Sequence, residues 1–176
     1  MKHFTKAILL LAALGVSACS NDRFGSGGGA DGINPADYGL NGGGVGVGEL
    51  SDPTSIAYFQ QAVGDRILFD VDQSSLNDVA RNTLNAQANW LQQNPQYTAV
   101  IEGHADEQGT REYNLALGAR RANAVNEYLV SRGISASRLK TVTYGKERPL
   151  EICSEESCYA QNRRAVTVLA AGGLTS

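Results

Sequence analysis

The chain is sparing with several residue types. It has two histidines, one tryptophan, one methionine and three cysteines among 176 residues. A zinc site needs about four ligands. With His104 as the one histidine beyond the first few residues, a metal centre is not expected, and no cofactor is called for. Basic residues are not in excess: 15 Lys and Arg face 18 Asp and Glu. A partner held by phosphate neutralisation, such as nucleic acid, is therefore excluded. The longest apolar run, Ala7 to Val16, covers ten residues, half of the about 20 needed to span a bilayer. The signatures H-E-x-x-H and G-x-S-x-G do not occur.

What is present at the N-terminus has a direction. Lys2 and Lys6 precede the apolar run, and Val16-Ser17-Ala18-Cys19 closes it. A basic stretch, a short apolar stretch and small residues make a secretory leader. The last four residues resemble a lipobox, so residues 1–18 are expected to be removed and Cys19 to carry lipid. Ser20 rather than Asp follows, which resembles export to the outer membrane. Without Lys2 and Lys6 the mature chain carries a net charge of about −5. Cys153 and Cys158 would then lie in an oxidising compartment, where two cysteines more often form a disulfide than a metal site.

Glycine is concentrated rather than scarce. Eleven of the 20 glycines fall within residues 20–50, with almost nothing apolar to bury. Residues 19–55 are accordingly expected to be a tether with a mean span of about 33 Å. One domain is expected over 56–171, with a tail at 172–176. "DRILFD" (65–70) reads as a strand. Leu76, Val79, Ala80, Leu84, Ala88 and Leu91 repeat at helical spacing over Ser75 to Gln93, and Asn94-Pro95 stops that helix. "QYTAVIEGH" (96–104) is a β-branched strand. Leu115, Ala119, Ala122, Val125 and Leu129 mark a second helix, capped by Thr110 and ended by Gly133. "KTVTYG" and "RRAVTVL" are two more strands. The expected fold is an α/β sandwich of order β-α-β-α-β-β, with both helices on one face of a mixed sheet. Trp90 is expected in the core.

Residues 102–125, "EGHADEQGTREYNLALGARRANAV", carry the chemistry. Asp106 lies just beyond the strand end, and Arg121 lies about three turns into the following helix. Helical side chains lean toward the N-terminus, so Arg121 can reach back. An aspartate suits an ammonium and a guanidinium suits a carboxylate. The two form either a clamp for a zwitterion or a salt bridge with each other, and residue chemistry alone leaves both open. His104 reads as a strand-end polar residue that steadies the loop, Arg120 as a structural or surface partner, and Arg163-Arg164 as anchoring the last strand against the helices.

The motifs "GHADEQGTREYNLALGARRANAV", "YGKERP", "NRRAV" and "LFDVD" resemble the OmpA-like peptidoglycan-binding domain, over residues 65–169. The resemblance implies a non-enzymatic binding module that takes the diaminopimelate of the peptidoglycan stem. Carried over, Asp106 meets the ammonium and Arg121 the carboxylate. Asn114, the backbone at Val71 and Asp72, and Leu117 complete the pocket. With the lipobox it implies an outer-membrane lipoprotein with its domain in the periplasm, working in the Tol-Pal system with TolB and other Tol proteins and supporting envelope integrity and cell division. Gln108 departs from the family, where many relatives carry Arg, and Cys153 and Cys158 lie outside its shared pattern. Two rivals remain. One is another OmpA-domain anchoring protein outside the Tol system. The other is an enzyme, since "SRLK" (Ser137–Lys140) matches S-x-x-K, although no K-T-G or S-D-N accompanies it.

Overall fold

The computed structural model describes residues 48–172. The leader, Cys19 and most of the glycine-rich segment lie outside the described residues. A helical turn α1 (Ile56–Tyr58) widens into a π-helix (Phe59–Gly64) and leads into β1 (Arg66–Leu68). Then come α2 (Asp78–Gln93), β2 (Tyr97–His104), α3 (Arg111–Ser131), a 3-10 turn (Ala136–Arg138), β3 (Leu139–Gly145), α4 (Glu156–Asn162) and β4 (Arg164–Ala171). The sheet order is β1-β4-β2-β3. Only β2 and β3 run parallel; β4 is antiparallel to both neighbours.

The expected α/β fold with a mixed sheet is present, and its details differ in three places. First, α4 separates the last two strands. Its sequence, ESCYAQN, has no apolar stripe, so helical periodicity gave no sign of it. Second, α2 starts at Asp78 rather than Ser75, because the Asn77 side chain caps it by accepting from the Ala80 amide at 2.9 Å. Third, the packed chain begins ahead of Ser55. The Trp90 indole donates to the Pro53 carbonyl at 2.7 Å, and the Tyr97 hydroxyl to that of Thr54 at 3.0 Å. Buried aromatics with polar tips need such partners, and here they draw the end of the expected tether onto the domain.

The two long helices cover one sheet face. Ala80, Leu84, Ala88 and Leu91 of α2 and Ala122, Val125 and Leu129 of α3 share a core with Ile67, Ala99, Ile101, Ala165 and Leu169 of the strands. Trp90 joins it between Phe59 and Tyr97, with ring centroids 4.9 and 5.2 Å away. One contact sets the depth of α3. A Cβ on Gly103 would lie 1.9 Å from the Gly118 carbonyl oxygen, and one on Gly118 would lie 2.5 Å from Thr143 Oγ1. Helix and strand therefore meet backbone to backbone, which carries the first half of α3 up to the end of β2.

Candidate functional site

The close approach of α3 to β2 brings four segments together. These are the turn after β1, the loop after β2, the first three turns of α3, and Arg163 just before β4. The β2–α3 loop is closed locally. Thr110 Oγ1 accepts from the Tyr113 amide at 3.2 Å, Gly109 has φ +89°, and Asp106 Oδ1 accepts from the Gln108 amide at 3.2 Å. Lys146 Nζ donates to the carbonyls of Glu107 (3.3 Å) and Gly109 (2.7 Å), tying the loop to the end of β3.

Arg121 is fully buried. Its Nε donates to the Gln73 carbonyl at 2.8 Å, Nη1 to that of His104 at 2.8 Å, and Nη2 to that of Asp70 at 3.2 Å. The guanidinium lies 5.3 Å from the Phe69 ring centroid. Burial lowers its pKa to about 10, opposed by the nearby charges of Asp106 and Asp72, so it stays cationic at neutral pH. A guanidinium has five N–H donors; three carbonyls leave two over. Arg121 thus binds the turn after β1 to the end of β2 while holding a positive charge beneath both.

Asp106 is also buried. Its ion-pair partner is Arg163, whose Nη1 lies 3.3 Å from Asp106 Oδ2. The alternative of a direct Asp106–Arg121 salt bridge is not the arrangement formed. Arg163 is the residue that sequence reading missed. Its Nε donates to the Phe69 carbonyl at 3.2 Å and its second nitrogen pairs with Glu156. No spacing signal links positions 106 and 163; only the insertion of β4 beside β2 does.

The remaining expected residues fall around this pair. Asn114 is buried, and its Nδ2 donates to the Gln108 carbonyl at 2.7 Å. Its Oδ1 accepts nothing from the protein, a costly state for a buried acceptor. Leu117 is buried one turn further along α3, outside the main core cluster. Val71 is half exposed, and Asp72 has φ +57°, a left-handed conformation that Asp tolerates better than most residues. Tyr113 holds that turn by donating to Asp72 Oδ1 at 3.2 Å. Cys153 and Cys158 are joined by a disulfide, with Cα atoms 6.0 Å apart. Ser137 sits in the 3-10 turn, with its Oγ 2.8 Å from that of Ser135, and Lys140 is exposed on β3. The S-x-x-K residues therefore do not share one helix.

A hollow of about 490 Å³ lies elsewhere, lined by residues that include Ser74, Leu76, Arg81, Glu127 and Tyr128. Asp106, Asn114 and Arg121 are buried.

Residues 68–163 match the OmpA family model. The chain is 51% identical over 166 residues to a peptidoglycan-associated lipoprotein of Mesorhizobium japonicum, spanning 94% of this chain and 92% of that one. It is 42% identical to one of Pseudomonas aeruginosa, spanning 93% of each. The crystal structure of the peptidoglycan-associated lipoprotein from Burkholderia pseudomallei superposes with TM-score 0.61 at 38% identity, covering 69% of this chain and 98% of that one. The C-terminal domain of Helicobacter pylori MotB superposes at TM-score 0.57 with 18% identity, a likeness of fold.

Proposed function

Because the chain belongs to the OmpA family, and within it to the peptidoglycan-associated lipoproteins, we propose that it is an outer-membrane lipoprotein whose domain grips the diaminopimelate of the peptidoglycan stem. Asp106 takes the free ammonium, and Arg121 supplies the positive charge for the carboxylate. Asn114 Oδ1, a buried acceptor with nothing to accept, receives a second N–H of the ammonium. That orphaned oxygen, on a side chain tied to the same Gln108 whose amide donates to Asp106, is the observation that carries this reading. A zwitterion brings a cation to these two acceptors and an anion to the two unused N–H groups of Arg121. Each charge-assisted bond contributes about 1.5–3 kcal/mol. Since Arg121 is fully buried, the ligand carboxylate reaches it only as the exposed turn at Val71 and Asp72 shifts.

Lipid on Cys19 and a tether would hold the domain to the outer membrane while it holds the wall. The chain would act with TolB in the Tol-Pal system, supporting envelope integrity and cell division. The test is co-sedimentation with purified sacculi. Wild-type chain should pellet and Asp106→Ala should stay in the supernatant with an unchanged far-UV spectrum; pelleting of Asp106→Ala refutes the clamp. A pull-down of TolB with and without wall fragments tests the partner, and loss of TolB when fragments are added is the expected result. Clearing of sacculi by the purified chain would restore the enzyme reading.

A further inference from the structure

The guanidinium of Arg163 lies between two carboxylates. On one side its Nη1 is 3.3 Å from Asp106 Oδ2. On the other, Glu156 takes both terminal nitrogens, with Oε1 on Nη2 and Oε2 3.4 Å from Nη1. The two carboxylates differ in setting. Asp106 is buried at the site, whereas the Glu156 side chain is 66% exposed. Arg163 is held by its backbone amide on the Tyr159 carbonyl at 3.0 Å and by its Nε on the Phe69 carbonyl. It therefore shares its charge between two anions without moving.

Glu156 is the first residue of α4, and α4 has little of its own to hold it. It has seven residues and no side-chain cap at Glu155, well short of the length at which a helix is stable alone. Its far end is pinned by Asn162. That side chain is fully buried, accepts from the Leu150 and Glu151 amides at 2.7 and 3.1 Å, and donates to the Glu151 carbonyl at 2.8 Å. Its near end is pinned by the Cys153–Cys158 disulfide, which closes the chain across Glu156 with a Cα–Cα distance of 6.0 Å.

We infer that Glu156 is a positioning residue for the ligand site: presented by α4 and kept there by the Cys153–Cys158 crosslink, it takes a share of the Arg163 charge that Asp106 would otherwise hold alone and leaves the Asp106 carboxylate available to a cation. Without Glu156, Arg163 turns its full charge on Asp106. The ligand ammonium then meets both a neutralised partner and a repelling neighbour. The carboxylate end of the ligand, on Arg121, is not affected. This rests on the proposed function, since it presumes an ammonium at Asp106.

The test is calorimetry on the full-length chain in detergent with two probes. One is the stem tripeptide ending in meso-diaminopimelate. The other is the same tripeptide with the free amino group replaced by hydrogen. Wild type should bind the first more tightly. Glu156→Gln should weaken the first about three- to fivefold at low salt, as expected for one partly exposed ion pair, and leave the second unchanged. The effect should shrink as salt screens it. Cys153→Ser/Cys158→Ser should shift the same ratio in the same direction. Equal affinity of wild type and Glu156→Gln for the first peptide overturns the inference, and so does an equal loss on both peptides, which is what general loosening would produce. A wild-type chain that does not distinguish the two peptides overturns the proposed ligand, and this inference with it.

Discussion

Acidification from pH 7 to pH 5 is expected to remove about 2 kcal/mol of folding stability through His104 alone. The imidazole is 2% exposed, neither ring nitrogen has a hydrogen-bond partner, and the ring stacks on Tyr144 at 5.5 Å. The charges of Arg164 from β4, Arg148 from the segment after β3 and Arg66 from β1 act on it. Among the described residues the anion at hand is Glu102, 3.6 Å from Nε2, past good hydrogen-bond length, and burial raises its own pKa. Burial first, and then the three guanidiniums, push the His104 pKa down to about 3. In the unfolded chain it is about 6.5. Between those values the unfolded chain takes up a proton that the fold refuses. Stability is therefore complete above about pH 6.5, falls as pH drops through it, and goes on falling to about pH 3. One pH unit in that window corresponds to about 1.4 kcal/mol, hence about 2 kcal/mol at pH 5. Urea denaturation at the two pH values measures it, with His104→Phe as the reference, because Phe keeps the stack on Tyr144 and does not titrate. Curves for wild type and variant that shift in parallel would refute the reasoning and place a proton on His104 in the fold.

Other outcomes follow from the same geometry. Arg121→Lys replaces a planar fork by one ammonium and leaves at least one of the Gln73, His104 and Asp70 carbonyls without its donor; it should lose about 1–3 kcal/mol per orphaned acceptor in urea denaturation and fail to pellet with sacculi. Gly103→Ala puts a methyl 1.9 Å from the Gly118 carbonyl. Since α3 must back away, a loss of about 1–3 kcal/mol should come with weakened sacculus binding, and wild-type melting would contradict the backbone contact. Replacing Cys19 by Ala should move the chain from the membrane to the soluble fraction.

How much of this was legible beforehand depends on how local each feature is. Thr110 as helix cap, the strand ending at His104 and the helix stop near Gly133 rest on neighbours within about five residues, and sequence reading reached them. The boundaries that moved did so through distant partners, as when Trp90 and Tyr97 drew Pro53 and Thr54 onto the domain. α4 escaped because a crosslink and Asn162, rather than an apolar stripe, hold it.

The sequence by itself determined the fold class and the family, and singled out Asp106 and Arg121, because those reside in residue types and short-range spacing. Only the tertiary structure decided how the charges are shared. Asp106 pairs with Arg163, 57 positions away, and Arg121 turns inward to three carbonyls. The physical reason is that a buried ion takes whichever partner the packing brings within reach. That choice was made by β4 entering the sheet beside β2, and by two glycines letting a helix rest on a strand.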